Sequence, residues 1–107
     1  MVYKLIYLPL ASRDILEIEA RLYELSPATS DRITDEIGNL TETLMKFPFM
    51  YQEFEYDIFY RSMPLPYNYR LFYHIDEAAK TIEIHRILHG MMDFKTHLPQ
   101  RQGRIRK

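Results

Sequence analysis

The sequence predicts an α+β domain in the order β-α-α-β-β-β, with a helical hairpin on one face of a small, mostly antiparallel sheet. Three observations predict it. Apolar residues recur at helical spacing between residues 15 and 44, and others alternate at strand spacing between 57 and 88. Short joints carrying Pro, Asn or Asp separate the segments. A chain of 107 residues supports one modest core, and its 47% apolar and 14% aromatic content is far from that of a disordered chain. Residues 1–100 read as one domain, and 101–107 as a basic tail expected to be flexible.

Val2 to Leu8 alternates imperfectly and reads as the first strand, closed by Pro9. It is too short, and lacks the charged front, to be a signal peptide. Ser12 is the expected N-cap of the first helix, with Asp14 in its first turn where a carboxylate suits the helix dipole. Ile15, Ile18, Leu22 and Leu25 form its apolar stripe, with Leu16 and Tyr23 off that stripe. Ser26-Pro27 ends this helix and opens a second, whose Ile33, Ile37, Leu40 and Leu44 carry it to about Lys46. So short a joint predicts an antiparallel hairpin. Asp31, Asp35, Glu36 and Glu42 read as its solvated face.

Residues 48–56 have no clean period and read as a loop rich in exposed rings. Three strands should follow. Asp57 to Arg61 is one, with its turn at Pro64, Pro66 and Asn68; Tyr69 to Ile75 is the next; Lys80 to Leu88 is the last, after a tight connection at Asp76–Ala79. Period two puts Tyr69, Leu71, Tyr73 and Ile75 under the helices and leaves Arg70, Phe72 and His74 on the other, uncovered face. A cation, a ring and an imidazole have the chemistry to hold a phosphate or a base, and are equally common as plain exposed strand residues. In the last strand Ile82 and Ile84 point inward, but the same period would bury Arg86 and expose Ile87. Either a bulge lies near Arg86, re-aiming it and His89 towards Arg70, or a later segment covers the outer face.

The net charge of −1 hides an asymmetry: residues 1–55 hold five Lys and Arg against ten Asp and Glu, and residues 56–107 hold nine against five. The second half is suited to meet an anion, although its excess comes from Arg101, Arg104, Arg106 and Lys107. With no cysteine there is no disulfide framework or thiolate chemistry, and a reducing cytoplasm is the expected location. No apolar run approaches the roughly 18 residues that cross a bilayer, so no membrane association is expected. No cofactor and no metal is expected: three glycines form no phosphate loop, and His85 and His89 lie far apart on a strand. No Ser or Cys occupies a nucleophile motif, and the carboxylates form no evident pair.

Tyr69-Arg70-Leu71-Phe72-Tyr73-His74-Ile75-Asp76, a turn, and Ile82-Glu83-Ile84-His85-Arg86-Ile87-Leu88-His89-Gly90-Met91-Met92-Asp93 resemble the C-terminal signature of the RelE/ParE toxin superfamily. Arg86 to Asp93, followed by His97-Leu98, is most similar to the ParE branch. The signature covers residues 69–98, and the element order agrees over nearly all the rest. The resemblance implies a growth-arresting toxin of a type II toxin–antitoxin module, of the kind linked to plasmid stabilisation. It also implies a cognate antitoxin that wraps a partly helical tail around the toxin in a hetero-oligomer. Leu16, Tyr23, Phe49, Tyr51 and Phe54 are its expected docking points.

Two activities follow from the resemblance. RelE-like members are ribosome-dependent mRNA endoribonucleases, and ParE-like members poison DNA gyrase without catalysis. On the nuclease reading Arg70 matches the phosphate-contacting strand arginine, His89 falls near a basic or catalytic position, and Arg61 is the only cation on the preceding strand. On either reading Arg70, His74, Arg86 and His89 are the expected target or phosphate contacts. The paired lysines of the ribonucleases are missing, Gly90 stands where one branch has a catalytic tyrosine, and a pI near 6.4 suits rRNA poorly. The resemblance therefore favours gyrase inhibition, with the ribonuclease as the alternative.

Overall fold

Among the described residues, five strands and three α-helices follow in order: β1 (Lys4–Tyr7), α1 (Pro9–Leu25), α2 (Pro27–Lys46), β2 (Glu53–Phe54), β3 (Asp57–Leu65), β4 (Tyr69–Asp76), β5 (Thr81–His89) and the single turn α3 (Phe94–His97). The computed structural model describes residues 2–98, so the expected tail at 101–107 lies outside the described residues. The strands form one sheet in the order β1-β5-β4-β3-β2. β1 is parallel to β5 and the other pairs are antiparallel. The predicted class, order and hairpin hold. Three details differ.

The first is the start of α1. It begins at Pro9, with Leu8 as N-cap and no side-chain cap, so Ser12 is inside the helix and not its cap. Leu8 is held to the sheet by its N–H donating to Ile84 O at 3.0 Å. Pro9 lacks the donor that a first turn leaves unpaired and arrives with its φ already helical. Pro27 opens α2 in the same way. The buried stripe of α1 is Ala11, Asp14, Ile18 and Leu22, and Leu25 is 76% exposed. At about 100° per residue, ten residues leave Leu25 roughly 80° off the direction of Ile15. The buried stripe of α2 is Ser30, Ile33, Ile37, Thr41 and Leu44. Its two hydroxyls are bonded: Ser30 Oγ donates to Glu19 O across the hairpin at 3.0 Å, and Thr41 Oγ1 to Ile37 O at 2.7 Å.

The second detail is the sheet beyond residue 48. The 48–56 stretch is not all loop, since Glu53–Phe54 pairs with β3. β3 runs past Arg61 to Leu65, and Pro64 is paired in register with Arg70. β2 does not reach that far, so β3 is an edge strand there and tolerates a residue without an N–H. The turn into β4 narrows to Pro66–Asn68, with Tyr67 (φ 62°) and Asn68 (φ 64°) both left-handed. Asn takes that conformation readily; Tyr does not.

The third is the outer face, which was expected to be uncovered. Tyr69, Leu71, Tyr73, Ile82, Ile84 and Ile87 pack beneath the helices as the main core. On the other face Phe54, Tyr60, Phe72, Leu88 and Leu98 form a second core, with Phe59 and Phe94 against it. Phe72 is fully buried there, meeting the rings of Phe54 and Phe94 edge-on at 5.0 Å each. Both readings of β5 are therefore true together. The pairing skips His85 between Ile84 and Arg86, which turns Ile87 inward, and the later segment Phe94–Leu98 covers the face on which Leu88 now lies.

Candidate functional site

The bulge decides where the singled-out residues go. Register pairs Arg70 with Leu88 and Tyr69 with His89. Paired residues share a face and neighbours alternate, so Arg70 lies on the outer face and His89 on the helix side. His89 meets the Tyr69 ring edge-on at 5.1 Å, and its Nδ1 accepts from Met91 N–H at 3.2 Å. The expected convergence of Arg86 and His89 on Arg70 does not occur. Arg61 is paired with Tyr73, again on the helix side. Its Nη1 donates to Tyr51 O at 2.7 Å, and its guanidinium lies 5.0 Å from the Phe49 ring. The three residues named for RNA cleavage are thus on two faces and at different places on the sheet.

Arg86 is engaged by a buried partner. Its Nε and Nη2 donate to Asp14 Oδ2 at 2.7 Å and Oδ1 at 2.9 Å, and its Nη1 to His97 O at 2.8 Å. Asp14 Oδ2 also accepts from Ile87 N–H at 2.9 Å. The cause is topological. β1 ends opposite Ile84, so the edge of β5 beyond it has no strand to pair with, and Asp14 supplies the acceptor from α1. The hydrogen bond to Asp14 raises the already high pKa of Arg86. Asp14 is therefore not a first-turn dipole residue, and Arg86 is not free to contact a target. Sequence reasoning missed this pair, although a signal existed: Asp14 lies on the same stripe as Ile18 and Leu22.

His74 is also partly committed. Its ring stacks on Phe59 at 3.7 Å, and its Nδ1 lies 2.8 Å from Phe59 O, a carbonyl that can only accept. Nearby His85 Nε2 is 3.1 Å from Glu83 Oε1. Arg70 lies on the outer face. It is half-buried, its Nη1 donates to Ser62 Oγ at 2.9 Å, and it lines a cleft of about 450 Å³.

The expected docking residues divide similarly. Leu16 and Tyr23 are 68% and 61% exposed, and with exposed Ala20 they make a second stripe on α1. Phe49 is exposed beside Phe47 and Met50 in the turn after α2. Phe54, by contrast, is buried in the second core, and Tyr51 is half-buried against the main one. Those two are core-edge residues, because the short β2 holds their segment against the sheet.

At Gly90 a Cβ would stand 2.6 Å from Asn68 Oδ1, and Gly90 N–H donates to Asn68 O at 2.7 Å. A tyrosine there would have to displace the Asn68 side chain, so the absent catalytic residue and the tight hairpin turn are linked. Among the described residues no group of three His, Cys, Asp or Glu is placed to hold a metal ion.

The family model described as ParE toxin of type II toxin-antitoxin system, parDE, matches residues 5–94. The chain belongs to the ParE toxin family. No curated protein sequence matches this ParE-family chain. Its fold is similar to that in the chromosomal ParDE system from P. aeruginosa, at TM-score 0.68 and 17% identity, over 82% of this chain and 96% of that one. It is also similar to the RelBE2 toxin–antitoxin complex from Mycobacterium tuberculosis, at TM-score 0.57 and 21% identity, over 83% and 99%. A free-state mutant of the E. coli toxin RelE matches at TM-score 0.50 and 13% identity, over 85% and 86%. The chain is thus the toxin of a type II toxin–antitoxin pair, with the fold common to ParE and RelE.

Proposed function

We propose that this toxin arrests growth by binding a protein target, DNA gyrase, without cutting RNA, and that a cognate antitoxin neutralises it. The observation that carries the reading is the separation of Arg61, Arg70 and His89. General acid–base cleavage of RNA needs an acid, a base and a charge stabiliser around one phosphate, each within hydrogen-bond reach. Here Arg70 faces away from His89, and Arg61 is tied to Tyr51 O. The low pI supports the same choice. Neutralisation is supported by the uncovered apolar stripe of Leu16, Ala20 and Tyr23 on α1 and by Phe49 with its exposed neighbours.

The test is direct. Purified toxin should stabilise gyrase–DNA cleavage complexes and leave mRNA intact in a translating lysate. Cut mRNA with untouched gyrase would reverse the assignment.

A further inference from the structure

Arg70 is a half-buried guanidinium with five donors. Among the described residues only its Nη1 is engaged, by Ser62 Oγ, and no carboxylate lies within ion-pair distance. A guanidinium with unengaged donors in a cleft can take a carboxylate as a bidentate fork. The cleft, about 450 Å³, is walled by Phe54, Tyr56, Pro64 and Phe94, and exposed Glu53 and Glu55 also line it. On its Tyr56 side it adjoins a second hollow lined by Tyr56, Met92, Asp93, Phe94 and Lys95, and the Lys95 ammonium lies 5.4 Å from the Tyr56 ring centre.

Rings flanked by Arg and Lys are what a single-stranded nucleic acid uses. The charge count argues otherwise here. Arg70 and Lys95 are outnumbered by Glu53, Glu55 and Asp93, so the two hollows together are net negative and repel a phosphate backbone. A single carboxylate flanked by basic groups meets complementary charge at each position.

We propose that this cleft binds an extended polypeptide segment of mixed charge, with one carboxylate forked onto Arg70 and its basic neighbours facing Glu53 and Glu55. The aromatic walls cover the aliphatic stems of that segment. The inference rests on the reading that the toxin acts through protein partners, and it names the chemistry of one such contact.

The test is an NMR titration of the ¹⁵N-labelled full chain with the pentapeptide acetyl-Lys-Val-Glu-Val-Lys-amide. Its glutamine counterpart and hexauridylate serve as controls. Saturable shifts are expected at Arg70 Nε–H and the Ser62 amide, about tenfold weaker with the glutamine peptide. Arg70→Gln should abolish them, and Arg70→Lys, which keeps the charge but not the fork, should leave a weakened response. Unchanged amide shifts around Ile33 establish that each variant is folded. Equal binding of both peptides, a response that survives Arg70→Gln, no saturable response, or tighter binding of hexauridylate would each overturn the proposal. Expression of the wild-type chain without a partner is read separately: failure to arrest growth sinks the toxin reading and leaves the titration result standing.

Discussion

Asp14 joins three pieces of the molecule through two oxygens: the Arg86 side chain, the Ile87 N–H and, through Arg86, the carbonyl of His97. Removing one member of so buried a pair strands the other, which costs about 3–5 kcal/mol. Asp14→Ala is therefore expected to lower the urea-unfolding free energy by that amount. The Asp14→Ala/Arg86→Ala double variant should fall no further than the worse single variant, and additive losses would show that the two act independently. Tyr73 offers a second residue-scale test. Its hydroxyl donates to Pro48 O at 2.9 Å, and burial pushes its pKa from 10.0 up to about 12. A raised phenol pKa contributes stability that is complete below pH 10 and is lost as pH rises through about 12. Ultraviolet titration should show a late-ionising component, lost in Tyr73→Phe, whose ionisation coincides with loss of structure; ionisation of all tyrosines near pH 10 in the folded state would contradict the assignment.

Among the helices, α3 is shorter than α1 and α2 and has the clearest dependence on one group. Asp93 caps it, accepting from Lys95 N–H at 3.0 Å and Thr96 Oγ1 at 2.7 Å. The Thr96 hydroxyl, and secondarily the Lys95 and Thr96 amides, hold the Asp93 pKa below the usual carboxylate value. A depressed pKa means that the cap is intact above the ordinary carboxylate range and is lost as pH falls through the lowered value. The Lys95 and Thr96 amide resonances are expected to move together below about pH 4. Asp93→Asn should flatten that profile, and an unchanged profile would place the titration elsewhere. The same element supplies Phe94 and lies next to Leu98, so Phe72→Ala, which empties the centre of the second core, should cost about 3–5 kcal/mol in unfolding free energy.

For the molecule as a whole, its two faces carry different features. The helix side carries the uncovered stripe of Leu16, Ala20 and Tyr23, and the outer side carries the Arg70 cleft. Leu16→Asp and Tyr23→Asp are surface changes and should leave unfolding free energy within about 0.5 kcal/mol. Both should release growth arrest from antitoxin control in co-expression, and full neutralisation of both variants would move the antitoxin site off α1. Among the described residues no helix is long and apolar enough to cross a membrane. Much of this was legible in the residues. The 3.6 and 2 periods and the proline positions determined the element order, the hairpin, and which of Tyr69, Leu71 and Tyr73 face the helices. Those signals are local, because a helix or strand repeats its own geometry every few residues. The tertiary structure decided what Arg86, Phe54, Phe72 and His89 do. Each depends on what arrives from far along the chain: Asp14 at an unpaired strand edge, Phe94 and Leu98 over the outer face, and a one-residue skip at His85. Contacts between segments 72 residues apart leave no period in the sequence, since the chain between them is free to vary.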